Sequence, residues 1–390
     1  MKKKIAIVNQ RYGAEVNGGS EYYTKKLAEH LLPYYDIEVL TSTALDYDTW
    51  ATYYPKGKQL VDGVPVVRFP VKKQRKYNEF RIVNKMLLSL PFLWRVLEPM
   101  WIKAQGPFCP SLIQYITEHQ DKFDVFVFVT YLYYTTAIGL PRVAEKAIFV
   151  PTAHDEYCIY FHLYRRLFQK VKGIIYLTEE ECDFVQKLFG NGKIPYQIAG
   201  AGIDVPDNVD TAGFREKFHI LSDYVLYVGR VDIGKNCDDL FEYFNKFNEA
   251  RQNQLELVVV GKIMMKKPES EHIHLLGYVS EEEKYAAIAG AKVLIMPSAH
   301  ESLSLVVLES MAMGIPVIVN GACAVLEGHC RKSGAGISYK DYFQFEEGLQ
   351  RVLWDLELYR GMQAAGKKYV REYYSWEHTI EKFHQIIEAV

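Results

Sequence analysis

The sequence has no strong excess of either charge. Its 390 residues hold 46 Lys and Arg against 48 Asp and Glu, a formal net charge of -2. A general nucleic-acid binder normally carries a basic excess, so that class is set aside. No uninterrupted apolar run approaches the roughly 18 residues that a membrane-crossing helix needs. The six cysteines (Cys109, Cys158, Cys182, Cys237, Cys323 and Cys330) contain no C-x-x-C pair and no zinc-ligand spacing. Reduced thiols are therefore their simplest reading. Low-complexity tracts and repeats of solenoid period are missing too, which excludes fibrous and repeat architectures. Lys2, Lys3 and Lys4 precede an apolar run of only Ile5 to Val8, about half the length of a signal-peptide core. A first β-strand and a cytoplasmic setting are the expectation.

What is present is an ordinary globular composition, 49% hydrophobic and 24% charged. Aromatics are abundant at 14%, with 29 Tyr, a side chain suited to surfaces that meet sugars or partners. The length suggests two domains of about 150 to 200 residues each. Short β-branched and aromatic runs alternate with helical patterns. Strands are expected at Lys4 to Val8, Ile37 to Thr41, Asp124 to Thr130, Ala147 to Val150 and Gly173 to Leu177. Helices are expected at Ser20 to Leu32, Tyr157 to Lys170 and Glu179 to Phe189. The series restarts at Tyr224 to Val228 and continues near Leu257 to Val260, Lys292 to Met296 and Pro316 to Val319. This alternation predicts an α/β protein of two doubly wound, mainly parallel sheets. The Gly-, Pro- and Asp-rich stretch Ala199 to Asp207 marks the boundary. The first domain is read as 1–203, the second as 204–375, and a last helix as 376–390.

Open α/β sheets bind ligands at the carboxyl ends of their strands, so the loops after strands carry the chemistry. After Lys292 to Met296 come Glu301 in a short loop, Ser302, Leu303, Ser304 and Leu305 at a helix start, and Glu309 further along that helix. Unpaired amides at a helix N-terminus favour an anionic phosphate, and a carboxylate on either side can accept from sugar or ribose hydroxyls. Two loosely placed surface acids are the bland alternative. After Tyr224 to Val228 come Gly229, Arg230 and Lys235, whose donors suit a diphosphate; the bland reading is a pair of solvated cations. Between the first strand and first helix lie Asn17-Gly18-Gly19-Ser20, where glycine allows close backbone approach and Ser20 is a fitting N-cap. A simple turn would look the same. This loop is not a G-x-G-x-x-G, so a nicotinamide or flavin site gains little support.

Together, the strand followed by Gly-Arg-x4-Lys, the Glu-x7-Glu of Glu301 and Glu309, and Gly314-Ile315-Pro316 after it resemble glycosyltransferase family 4. Gly18-Gly19-Ser20-Glu21, Thr152-Ala153-His154-Asp155, Ala201-Gly202-Ile203-Asp204 and Ser375-Trp376-Glu377 extend the likeness over nearly the whole chain. The resemblance implies a GT-B fold, two Rossmann-like domains facing across a cleft, with the last helix crossing back onto the first. It implies a retaining, metal-independent transfer of sugar from a nucleotide diphosphate sugar, with no cofactor. Glu309 would hold the ribose hydroxyls and Glu301 the donor sugar. Arg230 and Lys235 would neutralise the departing phosphate, His154 would lie near the sugar, and Gly19 would approach the phosphates. The backbone around Gly277, Tyr278 and Val279 would read the base. The acceptor expected is a glycan or lipid-linked glycan of bacterial surface polysaccharide. A sugar-nucleotide epimerase of the same fold and a non-catalytic partner subunit are the alternatives.

Several weaker signals remain. Asp46-Tyr47-Asp48 matches a D-x-D metal motif, His272 and His274 sit two apart on a strand, and Asp155 or Glu156 is a conceivable nucleophile. For each, an ordinary surface role is the plainer reading. Residues 72–103 carry Lys72, Lys73, Arg75, Lys76, Arg81, Lys85, Arg95 and Lys103 against only Glu79 and Glu98, interleaved with Met86, Phe92 and Trp94. Such a pattern suits contact with an anionic membrane at the inner face of the cell membrane, or an amphipathic helix packed on the first domain.

Overall fold

In the computed structural model, which describes residues 2–251 and 255–390, the chain forms two compact units. The first is Met1–Ala201 with Trp376–Val390, and the second is Gly202–Ser375.

The first unit is built on eight strands: β1 (Lys4–Val8), β2 (Asp36–Ser42), β3 (Gly57–Val61), β4 (Val64–Phe69), β5 (Val125–Val129), β6 (Ala147–Val150), β7 (Gly173–Tyr176) and β8 (Tyr196–Ile198). Their order is β3-β4-β2-β1-β5-β6-β7-β8. All pairs are parallel except β3 with β4. β5 is buried along its whole length, Val-Phe-Val-Phe-Val, because helices cover both faces of a parallel sheet. The chain leaves β1 toward β2 and returns on its other side to β5, so the topological switch point lies between β1 and β5.

Two features depart from the sequence reading. A β3–β4 hairpin occupies a stretch where the alternation predicted nothing; it turns through Asp62 and Gly63, both at positive φ (49° and 81°), as a two-residue primed turn requires. The single helix expected from Tyr157 to Lys170 is broken into a 3-10 turn, Tyr157–Tyr160, and a helix, His162–Gln169. The break is stabilised from outside: the buried Glu98 carboxylate accepts the His162 and Leu163 amides at 2.8 Å each. The helix Trp376–Ala389 completes this unit. His30 stacks on Trp376 at 4.1 Å, the Thr379 hydroxyl donates to the Ala199 carbonyl, and Phe383 and Ile387 are wholly buried.

The second unit has six parallel strands, β9 (Tyr224–Val228), β10 (Glu256–Val260), β11 (Ile273–Gly277), β12 (Val293–Met296), β13 (Val317–Asn320) and β14 (Gly336–Tyr339). The order β11-β10-β9-β12-β13-β14 places its switch point between β9 and β12. Gly261 (φ 134°) lets the β10 end lie against the β9 end, since a Cβ there would overlap the Gly229 carbonyl. The six cysteines are buried and unpaired. Among the described residues no helix is long and apolar enough to cross a membrane.

Candidate active site

Each switch point leaves a crevice at the carboxyl edge of its sheet, where neighbouring loops diverge. In the second unit the loops bordering that crevice follow β9 and β12, and they carry Arg230, Lys235, Glu301 and Ser304.

After β9, Gly229 (φ 157°) turns the chain and Arg230 forms an ion pair through Nε with Asp232. Asp232 also caps the turn Ile233–Lys235 by accepting the Lys235 amide at 2.9 Å. Thus one carboxylate both shapes the loop and holds its guanidinium. Lys235 reaches to the β12 loop, where its ammonium donates to Glu301 Oε1 at 2.6 Å and to Ser298 Oγ at 3.4 Å. An ammonium has three donors, so one remains after these two bonds. Both side chains keep partial exposure, 26% for Lys235 and 16% for Glu301.

The β12 loop ends in a strained residue. Ser304 adopts left-handed φ/ψ (63°, 75°) immediately before the helix Leu305–Met313. Non-glycine residues there cost on the order of 1–3 kcal/mol and gather at functional sites. Ser304 makes no side-chain cap bond, and its hydroxyl is buried without a partner. Leu303, just before it, is anchored from behind: its carbonyl accepts from His329 Nε2 at 2.8 Å, and His329 Nδ1 accepts from the Tyr369 hydroxyl at 3.1 Å. Burial pushes His329 down to about 4, so its ring is neutral, and this bonding assigns the proton to Nε2.

Glu309, only 4% exposed, lies one turn into the helix. Its Oε1 accepts from Lys284 Nζ at 2.8 Å and from the Tyr285 hydroxyl at 3.3 Å. Both partners come from the helix Glu281–Gly290, whose capping box at Ser280 and Glu283 fixes its start. The other oxygen, Oε2, has no hydrogen bond among the described residues. Tyr278, 61% exposed, and Val279 follow β11 at the same sheet edge, behind Gly277 (φ 72°).

In the first unit the loops after β1 and β5 border the corresponding crevice. Ser20 is not the N-cap expected of it. The helix Gly19–Leu31 begins two residues earlier, behind Gly18 (φ 149°), and the Ser20 hydroxyl donates to Glu21. Glu21 is buried and ion-paired with Arg11, and it also accepts from Gln10 at 2.9 Å. Arg11 donates onward to the Leu45 and Asn17 carbonyls, tying the glycine loop to its neighbours. A Cβ on Gly18 would overlap the Glu21 carboxylate, whereas one on Gly19 would meet nothing.

His154 follows β6, with Nε2 3.5 Å from Glu156. Glu156 in turn accepts from Tyr131 at 2.5 Å and Asp155 from Tyr160 at 2.7 Å. Ahead of His154, Thr152 is left-handed (φ 52°), as is Thr130 (φ 69°) after β5, and their hydroxyls are bonded at 3.1 Å. The Ala153 amide donates to Glu181, a wholly buried carboxylate that also accepts the Leu177 amide at 2.6 Å.

The sequence reading thus named Arg230, Lys235, Glu301 and Glu309 and missed Asp232, Ser298 and Lys284, which bond three of them, and His329, which holds Leu303. Asp232 was visible two residues from Arg230; the others join through distant elements. The D-x-D stretch is a local turn, with Asp46 accepting the Thr49 amide and hydroxyl. His274 faces Glu256 at 3.6 Å. Among the described residues no three His, Cys, Asp or Glu side chains gather as a metal site.

Residues 214–369 match the family described as glycosyl transferases group 1. A mannosyltransferase of Mycolicibacterium hassiacum, MMP alpha-(1->4)-mannosyltransferase, is 25% identical over 44% of this chain and 44% of its own length. An uncharacterised glycosyltransferase of Methanocaldococcus jannaschii is 27% identical over 53% of this chain and 56% of its own. The chain therefore spans about half the length of the curated relatives it matches. The crystal structure of Anabaena HepE in complex with UDP and glucose superimposes with a TM-score of 0.72 at 12% identity, covering all of both chains. The likeness to the glycosyl transferases group 1 thus runs through residues 214–369, two fifths of the chain, and the chain has the GT-B fold.

Proposed function

We propose that the protein is a retaining glycosyltransferase that moves a sugar from a nucleotide diphosphate sugar to a glycan or lipid-linked acceptor, as in bacterial surface polysaccharide assembly, on the cytoplasmic side of the membrane. The observation that carries this reading is the β9/β12 crevice. Two cations, a strained helix start with an unsatisfied hydroxyl, and a carboxylate with one unengaged oxygen converge on one switch point.

The division of labour follows from charge and geometry. Glu309 Oε2 accepts from the ribose hydroxyls, with Oε1 fixed by Lys284. The diphosphate sits over the Leu305 helix start, where amides and the Ser304 hydroxyl donate to its oxygens. Lys235 and Arg230 stabilise the charge that grows on the phosphate as its bond to the sugar breaks. Glu301, aligned by Lys235, accepts from a sugar hydroxyl. Fixed cations perform the electrostatic task that a divalent ion would perform, so the transfer runs without a metal. Retention places attack on the face from which the diphosphate departs, with the leaving oxygen taking the acceptor's proton. Tyr278 and Val279 in the second unit read the base; within the first unit, His154 is a sugar-contacting position and the Gly18-Gly19 backbone a phosphate-approach position of that unit's own crevice.

Thermal unfolding with UDP, GDP, dTDP, ADP and CDP tests this reading. A diphosphate at a hundred times its Kd adds about 2.7 kcal/mol of stability. One base is expected to stabilise the wild type and to lose that effect in Glu309→Ala. The anomeric configuration of sugar released from the matching donor, read by NMR, reports retention. Absence of any nucleotide effect on the wild type overturns the reading.

A further inference from the structure

Residues 72–103 of the first unit fold into a helical hairpin with two unlike faces. The helices Tyr77–Ser89 and Trp94–Gln105 run antiparallel across the turn Pro91–Leu93. Trp94 Nε1 donates to the Leu87 carbonyl at 2.7 Å, and Trp101 Nε1 donates to Asn84 at 2.8 Å. The inner face is core: Leu87, Leu97, Trp101 and Ile102 are buried among the side chains of this unit.

The outer face is what a soluble surface seldom shows. Phe92 is 79% exposed, Val96 67% and Met100 55%. Val96 and Met100, four residues apart, share one side of the second helix, with Phe92 in the turn that leads into it; the first helix adds the exposed Ile82 and Met86. Scattered apolar residues need no explanation, but a contiguous apolar stripe does.

The charge around it is of one sign. Lys72, Lys73, Lys76, Arg81, Lys85, Arg95 and Lys103 are all exposed. Glu98 is turned inward onto the His162–Gln169 helix start, leaving Glu79 as the single exposed anion, bonded to Lys73 and Lys76. Arg75, counted with the surface cations from sequence, is instead turned inward: it bonds the Ala104 and Gln105 carbonyls and stacks on Phe80 at 4.7 Å. Seven exposed cations against one anion therefore frame the stripe. A second copy docking through this face would set like charges against each other.

We propose that this hairpin seats the protein on an anionic lipid bilayer. Phe92, Val96 and Met100 enter the boundary between headgroups and acyl chains, while the flanking Lys and Arg reach the lipid phosphates along their alkyl stems. The inference deepens the reading of a lipid-linked acceptor, to which it gives a meeting place, but it stands on this surface alone.

Flotation of the purified full chain with vesicles tests it, with no donor or acceptor present, so its failure leaves the transfer reading untouched. The vesicles are phosphatidylcholine alone or mixed with phosphatidylglycerol. The wild type is expected to float with the mixed vesicles only, and less so at high salt. Phe92→Ser/Val96→Ser/Met100→Ser, and separately Arg81→Ser/Lys85→Ser/Arg95→Ser/Lys103→Ser, should each weaken partition about tenfold or more, with melting temperatures unchanged because these side chains are exposed. Absence of wild-type flotation overturns the proposal. So does flotation that survives loss of the apolar stripe. Self-association through this face without lipid also overturns it.

Discussion

Lys284 and Glu309 meet at 2.8 Å between two helices of the second unit, and the pair sets how this buried carboxylate behaves. Glu309 is nearly buried and Lys284 is 19% exposed. Removing one partner of such a pair strands a charge in low dielectric, at a cost of roughly 3–5 kcal/mol when burial is complete. For Lys284→Met, about 3 kcal/mol of destabilisation in urea unfolding is expected, with weaker binding of the stabilising diphosphate. The double variant Lys284→Met/Glu309→Gln should regain part of the stability but not the binding. A double variant no more stable than the single one would show that the stranded charge is not the cause.

His329 makes the second unit sensitive to acid. Burial lowers its imidazole from 6.5 to about 4. Between those values the unfolded chain takes up a proton that the folded chain refuses. Stability from this group is thus intact above pH 6.5 and drains away as pH falls toward 4, by about 2 kcal/mol at pH 5. Protonation falls on Nδ1, so it costs the bond accepted from the Tyr369 hydroxyl while Nε2 goes on donating to the Leu303 carbonyl. Relative to wild type, His329→Gln is expected to be less stable at neutral pH, with the gap closing through this window; a gap constant in pH refutes the assignment.

Glu181 works in the opposite direction. Complete burial pushes its carboxyl up to about 8, against its two amide bonds, which favour the charged form. The folded chain therefore keeps a proton that the unfolded chain releases near 4.5, and this contribution to stability is lost as pH rises from 4.5 through 8. Glu181→Gln keeps an acceptor but cannot titrate. Measured melting temperatures should show wild type losing ground to the variant as pH rises across that range. The Ala153 amide that Glu181 holds directly precedes His154, so transfer should fall in the variant even where stability is matched.

What could be read from sequence was whatever a short window contains. Strands such as Val125–Val129 and Tyr224–Val228 are apolar runs bounded by polar loops, and the Glu301 to Glu309 segment carries its own strand, loop and helix signals. Short strands at the sheet edges were missed: Tyr196–Ile198 has three residues and Gly336–Tyr339 four. The β3–β4 hairpin had a legible mark, Asp62-Gly63, that the longer alternation overshadowed. Partners across the fold had none. Nothing near Lys284 points to Glu309, and among the adjacent acids Glu179, Glu180 and Glu181 only the fold makes the last the buried one. The loop before Gly19 differs from its expected form for a related reason: Ser20 suits an N-cap, but the helix already starts at Gly19 behind Gly18, and the Ser20 hydroxyl donates to Glu21 of the buried Arg11–Glu21 pair.

That loop supplies the last prediction, because Gly18 and Gly19 are needed for different reasons. Gly18 has φ 149° and faces the Glu21 carboxylate, so Gly18→Ala must strain the backbone and push against the buried Arg11–Glu21 pair. A destabilisation of roughly 1–3 kcal/mol is expected. Gly19 is the first residue of the helix, has helix-compatible φ and has open space where a Cβ would go. Alanine is a better helix former, so Gly19→Ala should leave stability unchanged or slightly raised. If phosphates approach this backbone, the same variant should lose transfer activity despite its intact fold. Calorimetry and a donor-turnover assay on the two variants separate the cases. A Gly19→Ala protein with full activity would assign the second glycine to chain entry alone and remove the phosphate-approach role from this loop.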